Sequence, residues 1–323
     1  SDITGHRIVK YRERERHSPS PVIVVILSVL TAFIISLVCV TLVSSATDFL
    51  PINTLWNGLS GFAGAYSAEI IDSLETVELD PRAVLVTVPQ LPYKTEGLER
   101  LRDFVFRGGT LVITDDYGYG NQILEYFGIA ARFNGGVLLD PLFCYRNPAL
   151  PRITDFASQI TSAGVRSVVL NNATVLDGVR GAEVLARSSP QSYLELPEGW
   201  RLEGPFPVVA RLVYGQGRVV LVADSSIFIN SMLVLDDNRA FLDYLSASTD
   251  GWLLLDVTHV EKELPDKARD VVLEMRGIVR RPDVAVGVMA FLFALSSLIF
   301  FFNSAAVIFT FSFLGFSSGS GIP

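Results

Sequence analysis

Two long stretches without a charged residue constrain the fold of this chain more than any other feature. Residues 18–47 carry no charge, and their core, at 21–45, reads PVIVVILSVLTAFIISLVCVTLVSS. Residues 284–323 carry none either, and their core, at 284–302, reads VAVGVMAFLFALSSLIFFF. About 20 apolar residues in a helix cross a bilayer, and buried core helices rarely lack a polar face over such a length. The pattern predicts a transmembrane helix over 21–45 and a C-terminal transmembrane segment over 283–323.

Each stretch leaves one alternative open. The first is followed by Ser44, Ser45 and Ala46, small residues of the kind found at signal-peptide cleavage sites. Its apolar run is far longer than the usual run of about 7–15 residues, which favours an uncleaved anchor. In the second stretch, residues 284–316 fit either one long tilted helix or a hairpin that breaks near Asn303.

Basic residues before the first stretch predict its orientation. The segment 1–20 is a basic tail with five Lys or Arg residues, and such residues mark the cytoplasmic side of a span. We therefore expect a cytoplasmic tail and an extracytoplasmic α/β domain over 46–264, followed by a membrane-proximal linker helix over 265–282. Arg276, Arg280 and Arg281 oppose this orientation, but the first span usually dominates. The predicted localisation is the cell membrane, with the main domain outside.

Composition excludes several classes of protein. The chain has 26 Lys and Arg against 34 Asp and Glu, a net charge of −8 and an isoelectric point near 5.0. Nucleic-acid binding proteins present a basic stripe instead, so nucleic acid is not an expected partner. Two Cys residues in 323 rule out a disulfide scaffold. With 21 Phe and 10 Tyr residues, the chain has the apolar content of a folded protein.

The middle of the chain alternates between strand-like and helix-like segments. Residues 83–89 (AVLVTVP) and 110–116 (TLVITDD) read as buried strands, and each precedes a helical pattern, at 95–109 and at 121–128. This alternation with short connections predicts a parallel sheet covered by helices on both faces. Residues 134–204 contain short strands between Pro and Gly turns, which predict an antiparallel elaboration.

The last part of the domain returns to longer elements. Residues 206–226 read as two strands around a turn at Tyr214–Gly217, where glycine permits the positive φ that hairpin turns need. A helix is expected from Asn238, and residues 252–259 (WLLLDVTH) read as one more strand.

Three segments together resemble a known prokaryotic family. They read NTLWNGLSGF, VLVTVPQLPYKTEGLERLRDFVFRGGTLVITDDYGYGNQIL and GPFPVVARLVYGQGRVVLVADSSIFINSMLVLDDNRAFLDYL. Their order is similar to that of the membrane-anchored "domain of unknown function 4350" family, over residues 50–260. The resemblance implies a flavodoxin-like, class I glutamine amidotransferase-like fold. Relatives often have Asp-Glu-aromatic-His in the last strand, and here Asp256 and His259 are present without the Glu. The family has no established activity, so the resemblance implies no reaction.

Three carboxylates follow predicted strands. Asp115 and Asp116 end one strand, and Asp224 ends the strand at 218–224. Because the carboxyl ends of parallel strands meet at one edge, where ligands usually bind, we expect these side chains around one shallow polar cleft. Such oxygen ligands hold Mg²⁺ or Ca²⁺, but Asp after a strand also caps helices and closes turns, so the metal is left open. The full predicted ligand-binding set is Asp115, Asp116, Asn121, Asp224, Ser225 and Asn230.

Other catalytic patterns are weak. Cys144 lacks the glycine-flanked turn of a thiol nucleophile, and His259 is the single His outside the basic tail. Ser225 follows a strand without a G-x-S-x-G elbow, and no His/Cys cluster has zinc-site spacing. Asn172 begins an Asn-Ala-Thr triplet that fits the acceptor pattern for N-glycosylation. The sequence therefore predicts no catalytic residue and no cofactor.

These observations favour a binding or scaffolding domain that is a subunit of a membrane or cell-envelope complex. The expected partners are the lipid bilayer and other membrane or envelope proteins, or further copies of the chain. The alternative is an enzyme, hydrolase-like or amidotransferase-like, with a non-standard carboxylate site at the strand ends. In a third reading the apolar stretches make the main contacts, through the polar side chains of Ser296, Ser297, Asn303 and Ser304.

Overall fold

The computed structural model describes residues 20–42, 44–196, 199–246 and 252–279, together with Arg281 and Val286. These residues divide into two compact units, and Ser44–Lys267 form one of them. The apolar helix α1 (Pro21–Leu42) belongs to the other unit.

Short helices and many strands make up the unit formed by Ser44–Lys267. The helices are α2 (Ser60–Ala65), α3 (Thr95–Phe106), α4 (Gly120–Tyr126), α5 (Ser158–Ser162), α6 (Asn238–Ser246) and the first residues of α7 (Leu264–Val279). The strands are β1 (Glu69–Ile71), β2 (Val84–Thr87), β3 (Thr110–Thr114), β4 (Arg132–Phe133), β5 (Val137–Leu139), β6 (Arg152–Ile153), β7 (Asp155–Phe156), β8 (Val168–Val169), β9 (Leu176–Asp177), β10 (Glu183–Arg187), β11 (Tyr193–Glu195), β12 (Arg201–Glu203), β13 (Pro207–Tyr214), β14 (Gly217–Val222) and β15 (Leu253–Asp256).

Helix α3 illustrates how the sequence builds these elements. Its apolar residues recur at helical spacing, and Leu98, Leu101, Phe104 and Val105 are all buried. The helix ends before Gly108, whose φ of 127° is readily adopted only by glycine. The chain then enters β3 within two residues.

An eight-stranded sheet carries the core, in the order β1-β15-β2-β3-β14-β13-β10-β7. The first five strands run parallel, with Val84 beside Thr110 and Thr110 beside Arg218. Every residue of β2, β3 and β15 is buried, as expected for strands covered on both faces. Three smaller antiparallel sheets, β12-β11-β5, β4-β9 and β6-β8, come from the segment between α4 and β13.

The predicted fold class, a flavodoxin-like or class I glutamine amidotransferase-like parallel sheet with an antiparallel elaboration and flanking transmembrane helices, is wrong. The sheets are mixed, and among the described strands seven pairings are antiparallel and four are parallel. The hairpin at Tyr214–Gly217 sets β13 antiparallel to β14, as the sequence predicted, so the difference arises from the strands beyond β13. β10 and β7 then extend the main sheet in antiparallel fashion.

The predicted membrane spans also need correction. No helix among the residues that the structure describes combines the length and the apolar character that crossing a membrane requires. This finding overturns the transmembrane helix predicted over 21–45, and with it the predicted cell-membrane localisation and orientation. The C-terminal segment predicted over 283–323 lies outside the described residues, except for Val286, and so does the basic tail except for Ser20.

Candidate functional site

Strands β3 and β14 end side by side at the carboxyl edge of the parallel strands. Their register pairs Thr114 with Val222, and the amide of Asp115 donates to the Val222 carbonyl at 3.1 Å. Asp116 and Asp224 each come two residues after this last pair, and the charge of Asp116 acts on Asp224. The expected meeting of these strand ends at one edge is confirmed. Ligand binding by the predicted set stays a prediction.

Asp115 caps the loop that leads into α4. Its two carboxylate oxygens accept hydrogen bonds from the amides of Gly118 and Gly120, each at 2.7 Å. Burial raises the pKa of Asp115 to about 6, although these two bonds oppose the rise, and the charge of Asp116 adds to it. The side chain is 3 % exposed, and its oxygens are committed to the backbone. Asp115 therefore acts as a structural cap.

Asp224 is also committed to the backbone. Its Oδ2 accepts from the Asn171 amide at 2.8 Å, and its Oδ1 accepts from the Ser226 amide at 2.7 Å. Complete burial raises the pKa of Asp224 to about 8, and the nearby charge of Asp116 contributes. The carboxyl group joins the end of β14 to the loop before Asn172.

Asp116 differs from both neighbours. It is half-buried, and its side chain accepts one hydrogen bond, from the amide of Tyr117 at 2.8 Å. Burial raises the pKa of Asp116. The adjacent Tyr117 has its pKa raised to about 12, first by burial and then by the charges of Asp116 and Asp224. Asp116 is therefore the member of the predicted set with the most capacity to meet a ligand.

The remaining members of the set hold loops together. Ser225 donates its hydroxyl to the Thr114 carbonyl at 3.0 Å. Asn121 bonds both the amide and the carbonyl of Phe133, each at 2.9 Å, and so fixes β4 to α4. Asn230 lies elsewhere, where it joins two loops. Among the described residues, no group of three or more His, Cys, Asp or Glu side chains is arranged to hold a metal ion.

A second polar cluster, which the sequence did not predict, lies where β2 and β15 end. Asp256, 1 % exposed, accepts hydrogen bonds from the hydroxyls of Thr87 at 2.9 Å and Thr258 at 2.5 Å, and from the Thr258 amide at 2.9 Å. The ring of His259 stacks on that of Tyr93 with centroids 3.5 Å apart, and its Nδ1 is 2.6 Å from the Thr258 hydroxyl. This network links the last strand to the loop after β2.

Electrostatics in this cluster favour an ionised Asp256. Burial alone would raise the pKa of its carboxyl, but the nearby His259 ring, with Nδ1 3.9 Å from Oδ2, and the hydrogen bonds from Thr258 outweigh burial, and the pKa is lowered. The side chain of His259 contacts Thr258, Asp256 and Tyr93, and it is not placed against Cys144. Cys144 is half-buried and forms a β-bridge with Pro151.

Asn172, the predicted glycosylation residue, is exposed and has a positive φ of 49°. The hydroxyl of Thr174 in the same triplet is buried, where it accepts a hydrogen bond from the Gly135 amide at 2.9 Å. The structure thus leaves the Asn172 side chain accessible, and its modification stays a prediction.

Four large apolar side chains are exposed on two loop segments that meet across a backbone contact. We define the apolar loop surface as Ile52, Leu55, Trp56 and Val234, which are 52 %, 47 %, 66 % and 81 % exposed. The two segments that carry it are joined through the backbone, because the Ser231 amide donates to the Trp56 carbonyl at 3.0 Å. Large apolar side chains grouped on the surface of a protein mark interaction sites more often than isolated ones do.

Two asparagine side chains, one buried and one half-buried, hold the backbone beneath this surface. Asn53, which is completely buried, donates to the Thr47 carbonyl at 2.9 Å and accepts from the Leu55 amide at 2.8 Å. Asn230 donates to the Leu55 carbonyl at 2.5 Å and accepts from the Gly61 amide at 2.7 Å. The loop therefore presents Leu55 and Trp56 from a fixed backbone.

A comparison with family models decides the family. The model of the domain of unknown function (DUF4350) matches residues 51–245, more than half of the chain. The chain belongs to the DUF4350 family. No curated protein matches it.

Several solved structures resemble part of the DUF4350 chain. The N-terminal domain of mmIFT52 is 14 % identical, with 52 % of this chain and 80 % of that one covered and a TM-score of 0.41. The cytoplasmic protein STM1381 from Salmonella typhimurium LT2 is 12 % identical, with 54 % and 76 % covered and a TM-score of 0.37. A β-galactosidase from Bacillus circulans sp. alkalophilus is 19 % identical, with 50 % and 22 % covered and a TM-score of 0.31. The match spans about a fifth of the β-galactosidase chain.

One of the two groups of residues that were not predicted, the loop with Leu55 and Trp56, has a recognisable sequence pattern. In the DUF4350 chain, residues 50–59 read LPINTLWNGL, a segment without charge in which Asn alternates with large apolar residues. Asn favours turns and local backbone hydrogen bonds, so this segment is typical of an ordered loop with exposed apolar side chains. Tyr93, far from Asp256 in sequence, carried no comparable signal.

Proposed function

We propose that the DUF4350 domain of this chain is a protein-binding domain, and that it binds through the apolar loop surface of Ile52, Leu55, Trp56 and Val234. The observation that carries the proposal is the exposure of these four side chains on a backbone that Asn53 and Asn230 hold in place. The proposal retains the binding or scaffolding role that the sequence favoured, and it adds the surface through which binding occurs.

Two physical arguments support this surface. Trp is among the residues that contribute most to binding when a partner buries it, because it supplies a large contact area with few rotatable bonds. A surface that is ordered before binding also loses less conformational entropy when the complex forms. The hydrogen bonds of Asn53 and Asn230 supply that order.

The hydrogen bonds of the strand-end carboxylates also support a binding domain rather than an enzyme. Asp115 and Asp224 accept backbone amides at both oxygens, and Asp256 accepts four hydroxyl or amide donors. A carboxylate used in this way orders loops, and it has little capacity left for a substrate. We assign these groups to the stability of the domain.

A photo-cross-linking experiment in host cells tests the proposal. The full chain carries a photoreactive phenylalanine analogue in place of Trp56, and the control carries it in place of Trp252, which is similarly exposed at 57 %. We expect one discrete protein adduct from position 56 after irradiation and none of the same mass from position 252. The absence of an adduct at position 56, or the same adducts from both positions, would contradict the proposal.

A second candidate, a hydrolase-like enzyme, is favoured by one observation. Asp116 has a raised pKa, one hydrogen bond and a charge that acts on Asp224, and paired carboxylates with raised pKa values serve as proton donors in hydrolases. The test is hydrolysis of chromogenic esters, phosphate esters and glycosides by the purified full chain. Turnover that Asp116→Asn abolishes would favour the enzyme, and turnover equal in both chains would reject it.

A further inference from the structure

We propose that two copies of this chain pair through the edge strand β12, Arg201–Glu203, about a two-fold axis at Leu202. The pairing would join the two β12-β11-β5 sheets into one antiparallel sheet. This inference concerns a surface separate from the apolar loop surface, and it stands or falls independently of the proposed function.

β12 is a free edge. It pairs with β11 on one side, and no described strand pairs with its other side. All three of its residues are exposed. An unpaired edge presents main-chain donors and acceptors that can accept another strand.

The hydrogen-bond pattern shows which main-chain groups point outward. The Leu196 amide donates to the Trp200 carbonyl at 2.9 Å, and the Gly204 amide donates to the Ser192 carbonyl at 2.8 Å. These bonds mark the pairs Leu196–Trp200 and Ser192–Gly204 as hydrogen-bonded pairs. Such pairs alternate along an antiparallel ladder, so the pair Leu194–Leu202 between them is also hydrogen-bonded. The main-chain N–H and C=O groups of Arg201 and Glu203 therefore face away from β11.

The charges on this edge are self-complementary. In antiparallel pairing about Leu202, Arg201 of one copy lies opposite Glu203 of the other, and the arrangement occurs twice. Each such pair is a hydrogen-bonded position, so the two strands exchange four main-chain hydrogen bonds. Opposite charges at directly facing positions stabilise a strand pair, and like charges destabilise it. Any extended peptide could satisfy the backbone, but this register of charge fits a second copy of the chain.

Arg201 is already positioned on the strand. Its guanidinium lies 3.3 Å from the Glu195 carboxylate and 4.6 Å from the centroid of the Tyr193 ring. A guanidinium has five N–H donors, so Arg201 can keep Glu195 as a partner while it meets a second carboxylate.

A row of leucine side chains across the three strands becomes exposed at the β12 edge. Leu138, Leu194 and Leu202 lie side by side across the three strands, and they are 0 %, 1 % and 49 % exposed. Trp200, two residues before Leu202 and so on the same face of the strand, is 69 % exposed. The second copy of Leu202 would lie directly against the first and continue the row.

Disulfide trapping tests the geometry. The full chain, with Cys39 and Cys144 replaced by Ser, receives Leu202→Cys. Facing residues at a non-bonded antiparallel position have Cα atoms about 4.5 Å apart, within the range of about 4.4–6.8 Å that a disulfide spans. We expect rapid formation of a covalent dimer under mild oxidation. Val213→Cys, at an 84 % exposed strand position, is the matched control and should form at least about tenfold less.

Charge reversal in the same Leu202→Cys background tests the register. Arg201→Glu should slow dimer formation about tenfold, since like charges then face each other, and adding Glu203→Arg should restore it. Both variants place a carboxylate opposite Glu195 within the chain, so recovery in the double variant reports the contact between copies. No dimer from Leu202→Cys, a dimer no faster than the Val213→Cys control, or an equal loss in the single and double variants would overturn the proposal.

Discussion

At the scale of single residues, a carboxylate at the end of a strand can be located from sequence far more easily than its role. Asp115, Asp116 and Asp224 follow the carboxyl ends of the parallel strands β3 and β14, as the sequence predicted. Their roles depend on backbone amides of nearby loops that donate to the carboxylates, such as those of Gly118 and Asn171. These contacts carry no local sequence signal. Two of the three are structural caps, and Asp116 alone keeps free capacity.

The pKa of Asp224 leads to a prediction about pH and stability. Its carboxyl holds a proton in the folded chain up to about pH 8 and loses it near pH 4 when unfolded. The folded state therefore binds the extra proton between these values, and the stability that this proton contributes is lost as the pH rises from about 4 to about 8.

Replacing Asp224 by Asn should weaken this pH dependence. The amide does not ionise, and it cannot accept both backbone N–H bonds, so we expect a loss of about 1–3 kcal/mol near pH 5. The gap in unfolding free energy between wild type and Asp224→Asn should close or change sign near pH 8.5, as measured by denaturant unfolding. Asp72→Asn, at an exposed position, is the control. A gap that stays constant or widens with pH would show that Asp224 is not the titrating group.

At the scale of elements, periodicity and turn residues predict most of what forms. The strands predicted at 83–89 and 110–116 and the helix predicted at 95–109 correspond to β2, β3 and α3. The hairpin predicted around 214–217 is confirmed with the expected turn. The two-residue and three-residue strands between 132 and 203 carry too few residues for a period to show, so their pairings could not be predicted from sequence.

Close approach between elements predicts that Gly217 at the start of β14 tolerates no side chain. A Cβ there would lie 2.2 Å from the Gly109 carbonyl oxygen and 2.3 Å from that of Val105. Because both are backbone atoms, Gly217→Ala should reduce the free energy of unfolding by about 1–3 kcal/mol or more. Gly64→Ala in α2, where a Cβ meets nothing within 4 Å, should leave it unchanged or slightly raised. Similar melting of the two variants would contradict the close packing.

The loop beneath the apolar loop surface should depend on Asn230. Asn230→Ala removes bonds to the Leu55 carbonyl and the Gly61 amide, so amide exchange over residues 51–61 should accelerate about tenfold or more. Asn147→Ala is the control, because the Asn147 side chain bonds within its own turn, to the Ala149 amide. Hydrogen exchange with mass spectrometry measures the difference. Unchanged protection of this loop in Asn230→Ala would mean that its order comes from elsewhere.

At the scale of the whole molecule, the family could be predicted and the sheet could not. The resemblance of the three segments led to DUF4350, which the family model confirms over residues 51–245. The expected parallel architecture was wrong because β10 and β7, which come from the segment of short strands, join the main sheet beyond β13 in antiparallel fashion. The other short strands of that segment form three further antiparallel sheets. The predicted transmembrane helix over 21–45 was inferred from apolar length alone, and the described helices do not support it.

The most direct test of the central claim compares two backgrounds for the same cross-link. The adduct formed from position 56 is quantified in the chain with Leu55→Ser and Val234→Ser, and separately in the chain with Asp116→Asn. If the apolar loop surface binds the partner, the yield should fall about tenfold or more in the first background and stay unchanged in the second. A yield that survives the loss of both apolar side chains but disappears in Asp116→Asn would contradict the account and move the functional site to the strand ends.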